Sequence, residues 1–339
     1  MNKIKFGIFA KPGKVATELL KNINSLAPGR GQIFPISQIE LRLSIDNNGL
    51  FCDGVDLTTL ESVWIEGFSY QNPVIPPIET NQDWTLWQID HIVEQQSYSA
   101  LYSLFQELDR RGVAVYNPPW AHVRSFARFS LMERIRNSGF NVPPLICSNH
   151  KESIDAFCQQ HGAVVWRPAS GLSSWQRFTS KQQADLVGVE HPPIMVAKIF
   201  PGPLNSSYLF EGKSLLSLQY QAPDATPPME KLEQFWRVPC DQVPNPERLC
   251  QAIGGNWLKV SYITGDQEVS IYDVETDPLL SGLPNVFCSH LLSMLAHEIT
   301  GQSGSYQETD GLDSYQERSN MFLRRMYRIL FNMEASKYS

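Results

Sequence analysis

The chain holds no stretch of about eighteen apolar residues, so no membrane-crossing helix is expected from it. An apolar patch near the start, Ile4 to Ala10, is far too short for a signal peptide, which makes the cytoplasm the expected location. Long basic runs are also missing. With 28 Lys and Arg against 35 Asp and Glu, a formal charge of -7, the sequence offers no electrostatic footprint for nucleic acid or for anionic lipid, so neither a nucleic-acid nor a membrane partner is expected. Cysteine is sparse and unpatterned. Cys52, Cys147, Cys158, Cys240, Cys250 and Cys288 form no CxxC pair, which argues against a disulfide framework or zinc site and for small buried apolar side chains. Seven histidines show no HExxH spacing, and there is no GxSxG elbow on which a Ser-His-Asp site could be built. Each histidine reads first as a surface or structural residue, with His122, and beside it Arg124, just before Arg128, slightly better placed than the rest.

What is present is an α/β pattern with apolar content, 42%, sufficient for two or three modules. Lys5 to Ala10 reads as a strand, residues 11–13 as a turn and Val15 to Ile23 as a helix. Residues 39–45 and 50–52 flank an Asn-Gly turn in the manner of a hairpin. A strand at Ser62 to Ile65, a long helix from Asp83 to Arg111 closed at Gly112, and a strand at Val113 to Tyr116 follow. The pair Pro118-Pro119 marks a domain boundary. Beyond it the pattern predicts a helix over 123–137, an edge strand at 142–146 where prolines are tolerated, a helix over 154–160, and strands at 163–166, 195–200, 208–210 and 215–220. Residues 224–246 read as a polar surface excursion, 246–253 as a helix, 257–263 as a strand, and 285–299 and 317–333 as amphipathic helices. Trp84, Trp87, Tyr98 and Tyr102 recur at helical spacing, either as core or as the lining of a peptide groove.

The richest stretch is Ile271 to Pro278, an extended run in which Asp273, Glu275 and Asp277 alternate with other residues until proline stops it. Alternate strand positions share a face, so the three carboxylates are expected to point one way. Like charges that close repel unless a cation or proton sits among them, and oxygen ligands without histidine or cysteine favour magnesium. A magnesium-nucleotide site is one reading; three acids decorating a wet strand end is the other.

Several segments, in order, carry a family resemblance. They are Ile45 to Gly49 with Leu60 to Trp64; Val115 to Pro119 followed by Arg128 to Leu131 and Gly139 to Pro143; Val164 to Gly171; and Tyr272 to Pro278. In this order the chain resembles an ATP-grasp ligase, and more narrowly the RimK-like branch with its peptide-modifying, microviridin-type members. The resemblance implies an α/β architecture in three parts: an N-terminal domain over 1–118, a small central subdomain over 119–193 and a C-terminal subdomain over 194–339. It implies ATP and Mg2+ clasped between antiparallel sheets, with a substrate carboxylate activated as an acylphosphate and captured by an amine or hydroxyl. A peptide or protein is the implied partner, and a homo-oligomer stays open. Residue by residue, Arg128 and Arg167 would hold phosphates where lysine is usual, since arginine keeps the charge and adds a bidentate fork. Gly171, Ser173 and Ser174 would cover the phosphates. Ala197, Lys198, Ile199 and Phe200 would line the adenine pocket, and Asp273, Glu275 and Asp277 would hold the metal.

Besides the two arginines, the chain departs from the family pattern in four places. The loop at 171–174 has a single glycine, Lys198 stands where an acid is common, Ser207 falls where a phosphate-steadying arginine is usual, and Ser261 falls at a first metal ligand. A lost charge in a transition-state clamp costs orders of magnitude in rate. The alternative to a ligase is therefore a degenerate ATP-grasp protein that binds nucleotide or peptide without ligation.

Overall fold

A computed structural model of the chain describes residues 3–11, 13–36, 42–46, 49–68, 81–169, 175–179, 192–200, 202–221, 234–238, 240–265, 268–278, 280, 283–302 and 314–316. The N-terminal part runs β1 (Phe6–Ala10), α1 (Lys14–Leu26), β2 (Gly31–Pro35), β3 (Leu43–Ile45), β4 (Leu50–Cys52), β5 (Val55–Asp56), β6 (Ser62–Ile65), α2 (Asn81–Arg110) and β7 (Ala114–Tyr116). Strands β2-β1-β6-β7 form a parallel sheet in that order, and β3-β4-β5 a small antiparallel one. Every residue of β1 is buried, as a central parallel strand covered on both faces requires. One face carries Ile8 with α1 residues Ala16, Leu19 and Ile23; the other packs Phe9, Phe34 and Val63 against Leu101, Leu104, Phe105 and Leu108 of α2.

After the double proline come α3 (Pro119–Phe126) and α4 (Arg128–Asn137), where the periodicity led us to expect one helix over 123–137. Proline at the first helical position costs no hydrogen bond, so the helical stretch opens earlier. Ala127 then leaves helical geometry at φ -82°, ψ 61°, so that Arg128 opens a fresh helix. Next are β8 (Leu145–Ser148), α5 (Lys151–His161), β9 (Val164–Pro168), β10 (Gln176–Arg177) and β11 (Ile194–Lys198), whose strands pair antiparallel in the order β10-β9-β11-β8. β8 is an edge strand, as expected, but it begins at Leu145, after Pro143 and Pro144, which lie outside it. β11 pairs with β8 and β9, so residues 194–198 group with the smaller sheet and not with the segment that follows.

The last part comprises β12 (Leu204–Phe210), β13 (Lys213–Gln221), β14 (Gln234–Arg237), α6 (Pro246–Ile253), β15 (Trp257–Thr264), β16 (Val269–Glu275), α7 (Asn285–Ile299) and β17 (Ser314–Gln316). Its six strands form an antiparallel sheet, β16-β15-β12-β13-β14-β17. The expected excursion over 224–246 thus contains a strand, β14, which satisfies the otherwise open edge of β13. The expected helix over 317–333 lies outside the described residues. One face of this sheet packs Leu209, Leu258, Val260, Tyr262, Ile271 and Val274 against Leu131, Met132 and Ile135 of α4 and Leu249 and Ile253 of α6. The other carries Leu204, Tyr208, Phe210 and Trp257 toward α7 and the N-terminal sheet. Among the described residues no helix is long and apolar enough to cross a membrane.

Asn117, just past β7 and 1% exposed, fastens the N-terminal sheet to this one. Its side-chain oxygen accepts the backbone N–H groups of Asn256 and Trp257, both at 2.7 Å, and its amide donates to the carbonyls of Trp257 and Thr276. Thr276 lies inside the acidic run, so this pin sets where that run begins its exit from the sheet.

Candidate nucleotide site

On β16, Asp273 and Glu275 are partly exposed while Val274 between them is buried, the alternation expected of a strand with one wet face; Tyr272, skipped where the pairing with β15 shifts, is buried in a different cluster from Val274. Two guanidinium groups from different elements meet on Asp273. Arg167 of β9, 1% exposed, donates from Nη1 to Oδ2 at 2.6 Å and from Nη2 to Oδ1 at 3.2 Å, and its guanidinium carbon lies 4.3 Å from the centroid of the Trp175 ring. Arg128, the first residue of α4, donates from Nη1 to Oδ1 at 3.0 Å and to the Val274 carbonyl at 2.6 Å. Burial alone would raise the Asp273 carboxyl, yet the charges of Arg167 and Arg128 and their hydrogen bonds hold it down at about 2. Both arginines keep a buried Nε–H with no hydrogen-bond partner. Unpaired buried donors on a cationic pair suit a phosphate oxygen as a partner.

Ser261 faces Asp273 across the strand pair, and Ser206 lies beside Ser261, their hydroxyls 3.2 Å apart. One row along, Lys259 pairs with Glu275, Nζ to Oε1 at 3.1 Å. Ser207, where the family resemblance puts a phosphate-steadying arginine, lies on the opposite face of the sheet, fully buried, bonded to the Ser217 hydroxyl at 2.6 Å and the Tyr262 hydroxyl at 3.1 Å. Successive strand positions point to opposite faces, so its neighbour Ser206 shares the face of Ser261 and Asp273. Ser206 is the position from which a long side chain would reach Asp273.

The three acids do not share one cation site. Asp273 is engaged by the arginines and Glu275 by Lys259, whereas Asp277 lies past the end of β16 and accepts the backbone N–H of Gly67 at 3.3 Å. Among the described residues no group of three or more His, Cys, Asp or Glu side chains could hold a metal ion. Near Asp277, burial and then the Asp277 charge push the Glu66 carboxyl up to about 7, and burial holds the His122 imidazole below its usual range. Asp273 and Glu275 remain as an oxygen-only pair, the number of carboxylates from which magnesium is commonly held alongside phosphates.

The adenine candidates sit close by. Ala197 is buried against Val165, Trp175 and Met195, with Ile199 packed beside them. The Tyr272 hydroxyl donates to the Lys198 carbonyl at 2.9 Å and accepts the Phe200 N–H at 2.7 Å, and the Lys198 ammonium lies 5.2 Å from the centroid of the Phe200 ring. Tyr272 therefore ties the segment 198–200 to the strand that carries Asp273. Gly171, Ser173 and Ser174 lie outside the described residues. Sequence reasoning missed Trp175, Tyr272 and Lys259. Of these, Tyr272 alone falls inside a stretch the sequence singles out, the acidic run.

Other candidates have structural employment. Arg124 stacks over Trp120 at 4.5 Å and donates to the Ile253 carbonyl at 3.0 Å. The aromatic residues of α2 split: Tyr98 and Tyr102 pack on Phe68, while Trp84, 40% exposed, stacks on Trp87 with ring centroids 5.0 Å apart. All six cysteines are free; Cys52, Cys250 and Cys288 are buried, but Cys147 is exposed.

No family model matches the chain, and no curated protein matches its sequence. Its structure is similar to that of the ATP-grasp ligase PsnB complexed with precursor peptide PsnA2 and AMPPNP, with a TM-score of 0.71 at 13% identity over 90% of this chain and 99% of that one. It is similar to the macrocyclase MdnC of Microcystis aeruginosa MRC bound with precursor peptide MdnA, with a TM-score of 0.64 at 12% identity over 86% and 99% of the two chains. A third likeness is to a RiPP-associated ATP-grasp ligase of Chryseobacterium gregarium in complex with ADP and a leader and core peptide, with a TM-score of 0.65 at 11% identity over 89% and 98%. The six-stranded and four-stranded antiparallel sheets that meet at Asp273, set behind a parallel N-terminal sheet, are those of the ATP-grasp fold.

Proposed function

We propose that the protein is an ATP-dependent carboxylate ligase of the cytoplasm that forms an amide or ester on a peptide or protein substrate. The observation that carries this reading is the meeting of Arg167 from the small sheet and Arg128 from α4 on Asp273 of the large one. It puts two fixed guanidinium forks and two carboxylates at the junction of the two antiparallel sheets of this fold. Arg128 and Arg167 would bind phosphate oxygens, Asp273 and Glu275 would hold Mg2+, and the segment 197–200 would flank the adenine. When bound, ATP supplies the phosphoryl group that turns an unreactive carboxylate into an acylphosphate with a good leaving group. The chain's part is to orient the phosphates and neutralise charge as the phosphoryl group moves, the work of preorganised cations in a water-poor site. The peptide substrate is supported by the precursor peptides bound in the solved relatives PsnB and MdnC, and Mg2+ by a PsnB complex holding Mg and ADP.

A second reading has one specific observation in its favour. The charges at the site are already balanced internally, Asp273 by two arginines and Glu275 by Lys259, and hydroxyls stand at Ser206 and Ser261. A binding protein without ligase activity would tolerate that arrangement. ADP release separates the two. With ATP, Mg2+ and a library of acidic peptides, a ligase releases ADP only when a peptide carboxylate is present. Nucleotide binding with no carboxylate-dependent ADP from any peptide would establish the second reading.

A further inference from the structure

The position from which a third phosphate cation could reach the site, Ser206, carries a hydroxyl, yet the same face of the sheet holds a lysine that no sequence pattern marked. Lys259 sits on β15 two residues from Ser261 and is 8% exposed. The cross-strand rows on this face are Ser206, Ser261 and Asp273, then Tyr208, Lys259 and Glu275. Two residues along a strand advance about 6.6 Å, so the Lys259 ammonium stands one row from the carboxylate on which both arginines converge. Three cationic side chains, Arg128, Arg167 and Lys259, thus face two carboxylates, Asp273 and Glu275, in a chain whose overall charge is -7. A buried ammonium is costly unless its surroundings supply negative charge, and the Glu275 side chain that pairs with it is more exposed, 28% against 10%.

We propose that Lys259 is a phosphate-contacting residue of the nucleotide site, supplying from the large sheet the third positive charge that Ser206 does not. This rests on the nucleotide reading above and adds a residue to it. In the free protein Lys259 bonds to Glu275. With nucleotide bound its ammonium also reaches the phosphate chain, while Glu275 turns part of its charge to the metal. The binding energy Lys259 contributes then depends on how many phosphates the ligand carries.

The test is calorimetric titration of the full chain with AMP, ADP and AMPPNP, each with Mg2+, for the wild type, Lys259→Met and Lys259→Arg. Loss of a charged hydrogen bond weakens binding on the order of tenfold to a hundredfold. Lys259→Met should lose that much affinity for AMPPNP, less for ADP and none for AMP, and Lys259→Arg should recover most of it. Should Lys259→Met fail to fold, Lys259→Gln carries the same comparison, because it keeps a hydrogen bond to Glu275 without the charge. Wild-type binding of AMPPNP that Lys259→Met or Lys259→Gln leaves unchanged, or weakens equally for AMP, overturns the assignment of Lys259 alone. A wild type that binds none of the three nucleotides overturns the nucleotide reading with it.

Discussion

Replacing Asp273 with alanine should lower the unfolding free energy by about 3–5 kcal/mol, the usual cost of removing one partner from a buried ion pair. The carboxylate is the meeting point of three elements, α4 through Arg128, β9 through Arg167, and its own strand through the Val274 N–H at 2.9 Å. Without it two guanidinium groups are left close together, one of them 1% exposed, and like charges in a poorly solvated site repel. The same carboxylate sets a pH dependence. Its folded pKa of about 2 lies below the ordinary value of 3.8, so its contribution is present above about pH 4 and is lost as the pH falls toward 2. That contribution is on the order of 2 kcal/mol, smaller than the truncation cost because protonation leaves the side chain in place. Urea unfolding at pH 7 and across pH 2–5 checks both. A loss under about 1 kcal/mol, or an unchanged acid slope in Asp273→Ala, would remove Asp273 from the centre of the site. Because both arginines share one acceptor, Asp273→Ala and Arg128→Met should be strongly non-additive.

Asn117→Ala comes close to it in size. One side chain satisfies four buried or part-buried backbone groups at the start of β15 and just past the end of β16, and leaving such groups unpaired costs about 1–3 kcal/mol each before water or relaxation recovers part. A net loss of about 3–4 kcal/mol is expected in urea unfolding. Asn117→Asp keeps the acceptor for Asn256 and Trp257 but sets a carboxylate against the carbonyls of Trp257 and Thr276. It should be comparably destabilised, and more so as the pH rises through the carboxylate range. Since Thr276 stands between Glu275 and Asp277, both variants should also weaken binding of Mg-AMPPNP. Stability within about 1 kcal/mol of wild type would show that the pin is not what joins the two sheets.

The elements most legible in the sequence were those whose signals are local. β1 announced itself by an unbroken apolar run, α6 by Pro246 and a strongly two-sided pattern, and the acidic run by alternation ended at Pro278. Arg128 and Arg167 came as site residues from the order of family-like segments, since nothing in their own surroundings distinguishes them from surface arginines. What stayed hidden was register. The pairing of β15 with β16 shifts between Ser261 and Tyr262, and no local propensity fixes where such an irregularity falls. Lys259 could be matched with Glu275 only once that pairing was known. Asp277 departed from the other two acids because β16 ends at Glu275, after which alternation no longer governs direction. The break at Ala127 has no sequence mark at all.

The most direct test of the account is the melting temperature of the full chain titrated with Mg-AMPPNP, measured in parallel for Arg167→Met. If the guanidinium pair and the acidic strand form one triphosphate site, the wild type should be stabilised by about 2.7 kcal/mol at a hundredfold excess over Kd, and its melting temperature should climb with ligand concentration. Arg167→Met should show no such climb over the same range. A wild type whose melting temperature ignores Mg-AMPPNP, or an Arg167→Met variant that climbs alongside it, would contradict the account.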